Sequence, residues 1–467
     1  MRVHKIMFFV IFIFFFCTSS RADEGIWAKD IQSLIEKSGV KKNQYGMEIR
    51  NVKGDRVYFS ANAKQPFNPA STMKMLISIA ALEKLEPSHK FSTIVKKQGN
   101  DLCLIGGGDP SLVYEDLFLM VEKLLRNPSF EKTNLGNILV DESFFPTTRS
   151  YADDFEGDEQ RSFTAPLGSM SLNYNSVTVF VSPAHPGNKP FVSTEPRSNY
   201  FTIENHAQTV SKGGGNISIR TKPTGNQFAI EVTGLINAND KNLIQYRAVP
   251  DPAMYAGRIF QDLLERAGAK VKGIVQKKNC AGGVPVLLQY ESKPLSQIMM
   301  GMNKFSNNFI AETLLIHYGN QPTSESGLEN LNLWLKEKKF PMQNVVVQNS
   351  SGLSRSNSVT PDFLWHVISY GRNNPMISPE IFSSLPIGGL DGTLKRRFKS
   401  NTLKGMVRAK SGSLKGAISL VGSINTQNQG ELLFVFLFRL EGKTGFEIQT
   451  LEENILEKIA SLGKKAD

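Results

Sequence analysis

Apolar residues recur along this chain with two different periods, and the switches between them divide it into regions. Ile26, Trp27, Ile31, Leu34 and Ile35 are spaced as one face of an amphipathic helix over residues 25–38. Residues 45–51 and 56–60 read as two strands around a Lys53-Gly54-Asp55 turn. A Pro-rich approach over 65–71 then runs into 73–85, a strongly apolar helix. From about 95 to 285 the texture changes, with more Gly, Pro and Asn and shorter apolar runs. Residues 112–125 and 252–267 read as helices and 137–140 as a strand. Between them lie short alternating runs at 177–181, 201–203, 217–219 and 228–232, interrupted by the Gly213-Gly214-Gly215 loop. Long apolar helices return after Pro294, at 298–302 and 307–317. Three successive strands (406–413, 417–425 and 432–440) and a last helix, 446–462, close the chain.

This order predicts an α/β body built from both ends of the chain, with a large, mostly β-rich insert hanging from it. The chain has 467 residues, of which 40% are hydrophobic and 21% charged. That composition supports sizeable cores and excludes wholesale disorder. Six His and three Cys are too few and too scattered for a zinc ribbon or a disulfide scaffold, and no two His stand three or four residues apart. No metal or cofactor site is expected.

The first 22 residues read as an export leader. Arg2, His4 and Lys5 precede an unbroken apolar run from Ile6 to Phe16, and Ser20-Arg21-Ala22 offers a small-x-small cleavage site. Phe14-Phe15-Phe16 are bulkier than the residues that precede a lipid-modified Cys, which counts against that role for Cys17. Export makes a Cys103–Cys280 disulfide chemically allowed, and two small buried hydrophobes are the alternative. A net charge of +11 suits an anionic cell-wall polymer, leaves peripheral contact with lipid head groups open, and does not point an exported protein to nucleic acid.

Three short motifs carry the chemistry. In Ser71-Thr72-Met73-Lys74, a Ser at a helix N-terminus and a Lys one turn later share a face. A desolvated Lys beside other cations loses its proton at modest cost and can then take that of the hydroxyl. The spacing recurs at Ser38-Lys41, Ser129-Lys132 and Ser461-Lys464, but only Ser71 enters a long apolar helix. Its bland role would be a helix cap. The second motif is Ser306-Asn307-Asn308, on a short loop before an apolar helix. It is preferred over Ser171-Leu172-Asn173 and Ser423-Ile424-Asn425. The third is Lys410-Ser411-Gly412, on a strand that can lie beside a substrate peptide and offer an N–H to an oxyanion. A literal Lys443-Thr444-Gly445 falls instead between the last strand and the last helix.

These three motifs, in this order, resemble those of the penicillin-recognising serine acyl-enzymes. Among them the chain is most similar to the D-alanyl-D-alanine carboxypeptidase/endopeptidase family of low-mass penicillin-binding proteins, peptidase family S13. The long gap between Lys74 and Ser306 matches that family's large insert. Asn349-Ser350-Ser351-Gly352-Leu353-Ser354-Arg355 and the stretch from Leu385 to Leu394 are similar to two further signatures. Lys-Ser-Gly replaces Lys-Thr-Gly and keeps the hydroxyl, whereas Asn349-Ser350 replaces Asp-Gly in the later signature.

The resemblance implies a penicillin-binding-protein/β-lactamase-like transpeptidase body, an antiparallel sheet with helices on both faces, from 23–95 and 286–467. A second domain would take 96–165 and 241–285, with a third, β-rich, nested at 166–240. It implies Ser71 as nucleophile, Lys74 as its base and Ser306 as a proton relay. Asn308, Lys410, Ser411, Gly412 and Ser413 would bind substrate, with the N–H groups of Ser71 and Ser413 as the oxyanion hole. Peptidoglycan stem peptides and crosslinks in the periplasm would be the substrate, and β-lactam antibiotics covalent inhibitors. A β-lactamase, an esterase or a non-catalytic peptidoglycan-binding protein are the competing readings.

Overall fold

The computed structural model describes residues 20–148, 160–225 and 227–461, with side chains from Trp27 onward. The expected leader, with Cys17, lies outside them except for residues 20–22, which open the first helix. Helix α1 (Ser20–Ser38) leads into the hairpin β1 (Tyr45–Asn51) and β2 (Val57–Ala61), and a 3₁₀ turn (Ala70–Met73) opens α2 (Lys74–Leu85). Next come β3 (Ser92–Gln98), β4 (Asp101–Gly106), α3 (Tyr114–Leu125) and β5 (Ile138–Asp141). Eight short strands follow: β6 (Ser176–Ser182), β7 (Phe191–Glu195), β8 (Phe201–Asn205), β9 (Gln208–Val210), β10 (Ser218–Thr224), β11 (Gln227–Thr233), β12 (Leu235–Asn237) and β13 (Leu243–Ala248). The chain returns through α4 (Pro252–Arg266), β14 (Val275–Lys277) and β15 (Val286–Glu291). Helices α5 (Leu295–Phe305), α6 (Asn308–Tyr318), α7 (Ser324–Glu337), α8 (Pro361–Asn373) and α9 (Ser378–Ser384) precede β16 (Val407–Leu414), β17 (Ala417–Thr426), β18 (Gly430–Arg439) and α10 (Gly445–Ser461).

Both ends of the chain build one antiparallel sheet, in the order β16-β17-β18-β1-β2. Its inner strands read as near-continuous apolar runs because both faces are covered. Val421, Leu433, Val435 and Leu437 enter a core with α2, α5, α6 and α8. Leu420, Ile424, Phe434 and Phe436 enter a second core with α1 and α10. Helix α2 is buried from Lys74 to Leu82, so it is apolar all round rather than striped.

The insert is β-rich only in its nested part. Its outer part is α/β: a mixed five-stranded sheet in the order β14-β5-β4-β3-β15, against which α3 and α4 pack. The strand pairings shift three expected boundaries. The 95/96 boundary cuts β3, and the 285/286 boundary assigns β15 to the body. Yet these two strands pair with each other in the second sheet, Ser92 opposite Glu291. Strand β13, expected in the outer part, hydrogen-bonds to β6 in the nested sheet β13-β6-β7. The two inserted parts also share one apolar core, from Val95, Leu104 and Val140 through Val177 and Val179 to Phe228 and Ile230. Cys103 of β4 and Cys280 form a disulfide with Cα atoms 6.1 Å apart.

Candidate active site

The turn before α2 is clamped from two sides. Asn68 Oδ1 accepts the Ala70 N–H at 2.9 Å, and the Pro69 carbonyl accepts the hydroxyls of Thr72 and of Ser419 on β17, each at 2.6 Å. Ala70 sits in the left-handed region at φ 45°, with its carbonyl against Gly352, where a Cβ would strike it. Ser71 thus lies in the 3₁₀ turn, partly exposed, rather than in the helix proper.

Lys74, the first residue of α2, is fully buried, and its amine has three polar partners. Its Nζ lies 3.1 Å from Ser71 Oγ, 2.7 Å from Asn308 Oδ1 and 2.6 Å from the Ser351 carbonyl. Burial holds its pKa well below the usual lysine value, and the Lys410 charge lowers it further while Glu312 works in the opposite sense.

Ser306 ends α5 in the left-handed conformation (φ 59°, ψ 40°). The cap of the next helix is Asn307, whose Oδ1 accepts the Ile310 N–H at 3.1 Å. Ser306 and Asn308 are thereby spared for the cleft. Lys410 Nζ donates to Ser306 Oγ at 2.9 Å and to the Ser411 carbonyl at 2.7 Å. Lys410 is also fully buried, and burial brings its pKa down to about 7.

Strand β16 is an edge strand. The segment 386–388 covers its lower half: Ala409 N–H donates to Pro386 O, and Val407 O accepts the Gly388 N–H. By the two-residue period of a strand, the outward N–H groups further along are those of Ser411 and Ser413. Gly412 sits where the strand meets the turn; a Cβ there would strike Ser419 Oγ and lie 2.9 Å from Ser71 N. The structure therefore joins Ser71, Lys74 and Asn308 by hydrogen bonds, sets Lys410 with Ser306 near enough for the two lysine charges to interact, and lays Gly412 against the Ser71 turn, with Ser411 and Ser413 on the same strand. The rejected Lys443 and Thr444 pair instead with Glu447 at the start of α10.

A family model described as the D-Ala-D-Ala carboxypeptidase 3 (S13) family matches residues 27–458. The chain belongs to that family. It is an S13 peptidase, a D-Ala-D-Ala carboxypeptidase and hydrolase by class. A D-alanyl-D-alanine carboxypeptidase of Actinomadura sp. (strain R39) is 29% identical to it over 436 residues, 87% of this chain and 79% of the relative. The D-alanyl-D-alanine carboxypeptidase DacB of Haemophilus influenzae is 24% identical over 86% of each chain. The crystal structure of penicillin binding protein 4 (dacB) from the same organism superposes with a TM-score of 0.77 at 23% identity, covering 92% of this chain and 99% of the other.

In this S13 peptidase several site residues have no separate motif of their own. Glu312 on α6 is fully buried; its Oε1 accepts the Ser351 N–H at 2.7 Å, and its Oε2 has no partner among the described residues. Burial raises its pKa, with the Lys74 charge among the opposing influences. A lone carboxylate within the apolar run 309–316 was its signal. Thr393 shares a hydrogen bond of 2.7 Å with Ser411 Oγ, which gives the 385–394 signature a place beside β16. The Asn349-Ser350 departure is internal to a turn: Asn349 bonds to Gly352 N and to Asn357, and Ser350 to the Ala311 carbonyl, and both are buried.

Proposed function

We propose that the protein hydrolyses the D-Ala-D-Ala bond of peptidoglycan stem peptides, and the interpeptide bond of crosslinks, through an acyl-enzyme on Ser71. The observation that carries this reading is the chain of contacts Ser71–Lys74–Asn308 beside Ser306–Lys410 in one cleft. Neutral Lys74 takes the Ser71 proton as Oγ attacks the carbonyl carbon. The N–H groups of Ser71 and Ser413 hold the oxyanion. The C–N bond then breaks as the leaving amine receives a proton through Ser306 and Lys410, and water releases the acyl group. A β-lactam acylates the same Ser71 and remains bound, because its leaving group stays tethered.

Residues 1–22 serve as the leader that delivers the enzyme to the periplasm. No helix among the described residues is long and apolar enough to cross a membrane. The test is mass spectrometry of penicillin-treated protein. Wild type gains one acyl adduct on the peptide containing Ser71, and Ser71→Ala gains none. An adduct on any other peptide overturns the assignment. An adduct that turns over within seconds favours a β-lactamase.

A further inference from the structure

A cleft of about 620 Å³ opens beside Ser306 and Asn308. Its walls come from three parts of the molecule: the end of α5 (Phe305), the first turn of α3 (Tyr114, Glu115) and the nested sheet. On that sheet Tyr246 pairs with Thr178, and Thr178 with Glu195. The three therefore form one row across β13, β6 and β7, and all three line the cleft. Phe305 and Tyr246 remain 76% and 56% exposed.

The electrostatics of the cleft are opposite to those of the whole chain. Its described lining includes two carboxylates, Glu115 and Glu195, and no Lys, Arg or His, although the net charge is +11. Arg197 and Arg266 line the adjoining cleft that shares Tyr114 and Glu195. Burial raises the Tyr174 phenol at this wall, and the charges of Asp109, Asp116 and Glu115 raise it further.

Peptidoglycan offers two kinds of surface. The stem peptides carry carboxylates, which this lining repels. The glycan strand is uncharged, with apolar ring faces and hydroxyl donors. Aromatic faces and carboxylate acceptors in an open cleft match the second and not the first. Resting on the proposed peptidase function, we infer that this cleft is a saccharide subsite, which holds the amino sugars of the glycan strand while the attached stem peptide lies along β16. Tyr246 and Phe305 stack on sugar faces, and Glu115 and Glu195 accept sugar hydroxyls. The nested domain then serves to read the polymer to which the peptide is attached.

The experiment compares kcat/KM for two substrates, a disaccharide-pentapeptide and the same pentapeptide without sugars. Wild type should prefer the glycosylated substrate by about tenfold. In Tyr246→Ala and Glu195→Gln that preference should shrink to about twofold or less, with the sugar-free peptide as internal reference. Both positions are on the surface of the nested sheet. Absence of a preference in wild type overturns the inference, as does a preference retained by the variants or an equal loss on both substrates. If wild type cleaves neither substrate and takes no penicillin label, it is the peptidase reading that fails instead.

Discussion

Two buried lysines in one cleft cannot both hold their protons cheaply, and the two have opposite needs. In the proposed mechanism Lys74 must be neutral to accept the Ser71 proton, whereas Lys410 must be charged to return a proton to the leaving amine. Burial brings the Lys410 pKa down to about 7. The kcat/KM profile, which reports free-enzyme groups, should therefore fall as pH rises through about 7. Lys410→Arg keeps its charge throughout, so a stopped-assay pH series should show that limb lost, at a lower plateau. Retention of the limb would assign it to another group. At Gly412 the constraint is steric. Gly412→Ala places a methyl against Ser419 and the Ser71 amide. Displacing the nucleophile by about 1 Å should slow penicillin acylation roughly 100-fold, measured by stopped-flow labelling. Ser71 and Lys74 were legible because their contact is local, one helical turn apart. Ser351 was quoted only as part of a signature, because its carbonyl acts on Lys74 across 277 positions of sequence.

At the level of the element, an open sheet edge creates the site. The ladder to β17 uses one side of β16, and in the proposed mechanism the outward N–H of Ser413 holds the oxyanion. Ser413→Pro removes that donor without touching the ladder, since Pro is tolerated on an edge strand. Acylation should fall about 100-fold to 1,000-fold while the far-ultraviolet circular dichroism stays unchanged; near-normal acylation would remove Ser413 from the hole. Strands β16 to β18 and helix α2 were readable from sequence because long apolar runs define them. Strands β3, β4 and β15 were not. Each is only six or seven residues long, and Lys96, Lys97 and Gln98 interrupt the alternation at the end of β3. Strand β3 is held on one side by the hairpin to β4 and on the other by β15, almost 200 positions away, so half of what fixes it lies outside any local window.

For the molecule as a whole, the insert's main core is one cluster that unites both of its parts, and a small cluster of Phe145 and Leu167 with Phe309 and Ile316 of α6 joins it to the body. The Cys103–Cys280 link encloses a separation of 177 residues, nearly the whole insert. Loop-closure entropy for a loop of that length corresponds to about 5 kcal/mol. Replacing both Cys by Ala should make the insert the first region cut by protease, while penicillin still acylates Ser71. Loss of acylation along with protease resistance would show the two cores to be one folding unit. The edges of the regions were not legible from the change in texture, because hydrogen-bonding across the sheet, rather than local composition, sets them.

The insert leaves the body on β3 and returns on β15, and those two strands lie side by side from Ser92 and Glu291 onward. Outgoing and incoming chain are thus about 5 Å apart, one ladder spacing. The inserted region thus begins and ends at one point of the catalytic scaffold, whose own connectivity would survive if those two ends were rejoined by a tight turn, at the cost of the contacts that α6 makes with Gly108, Phe145, Phe163 and Leu167.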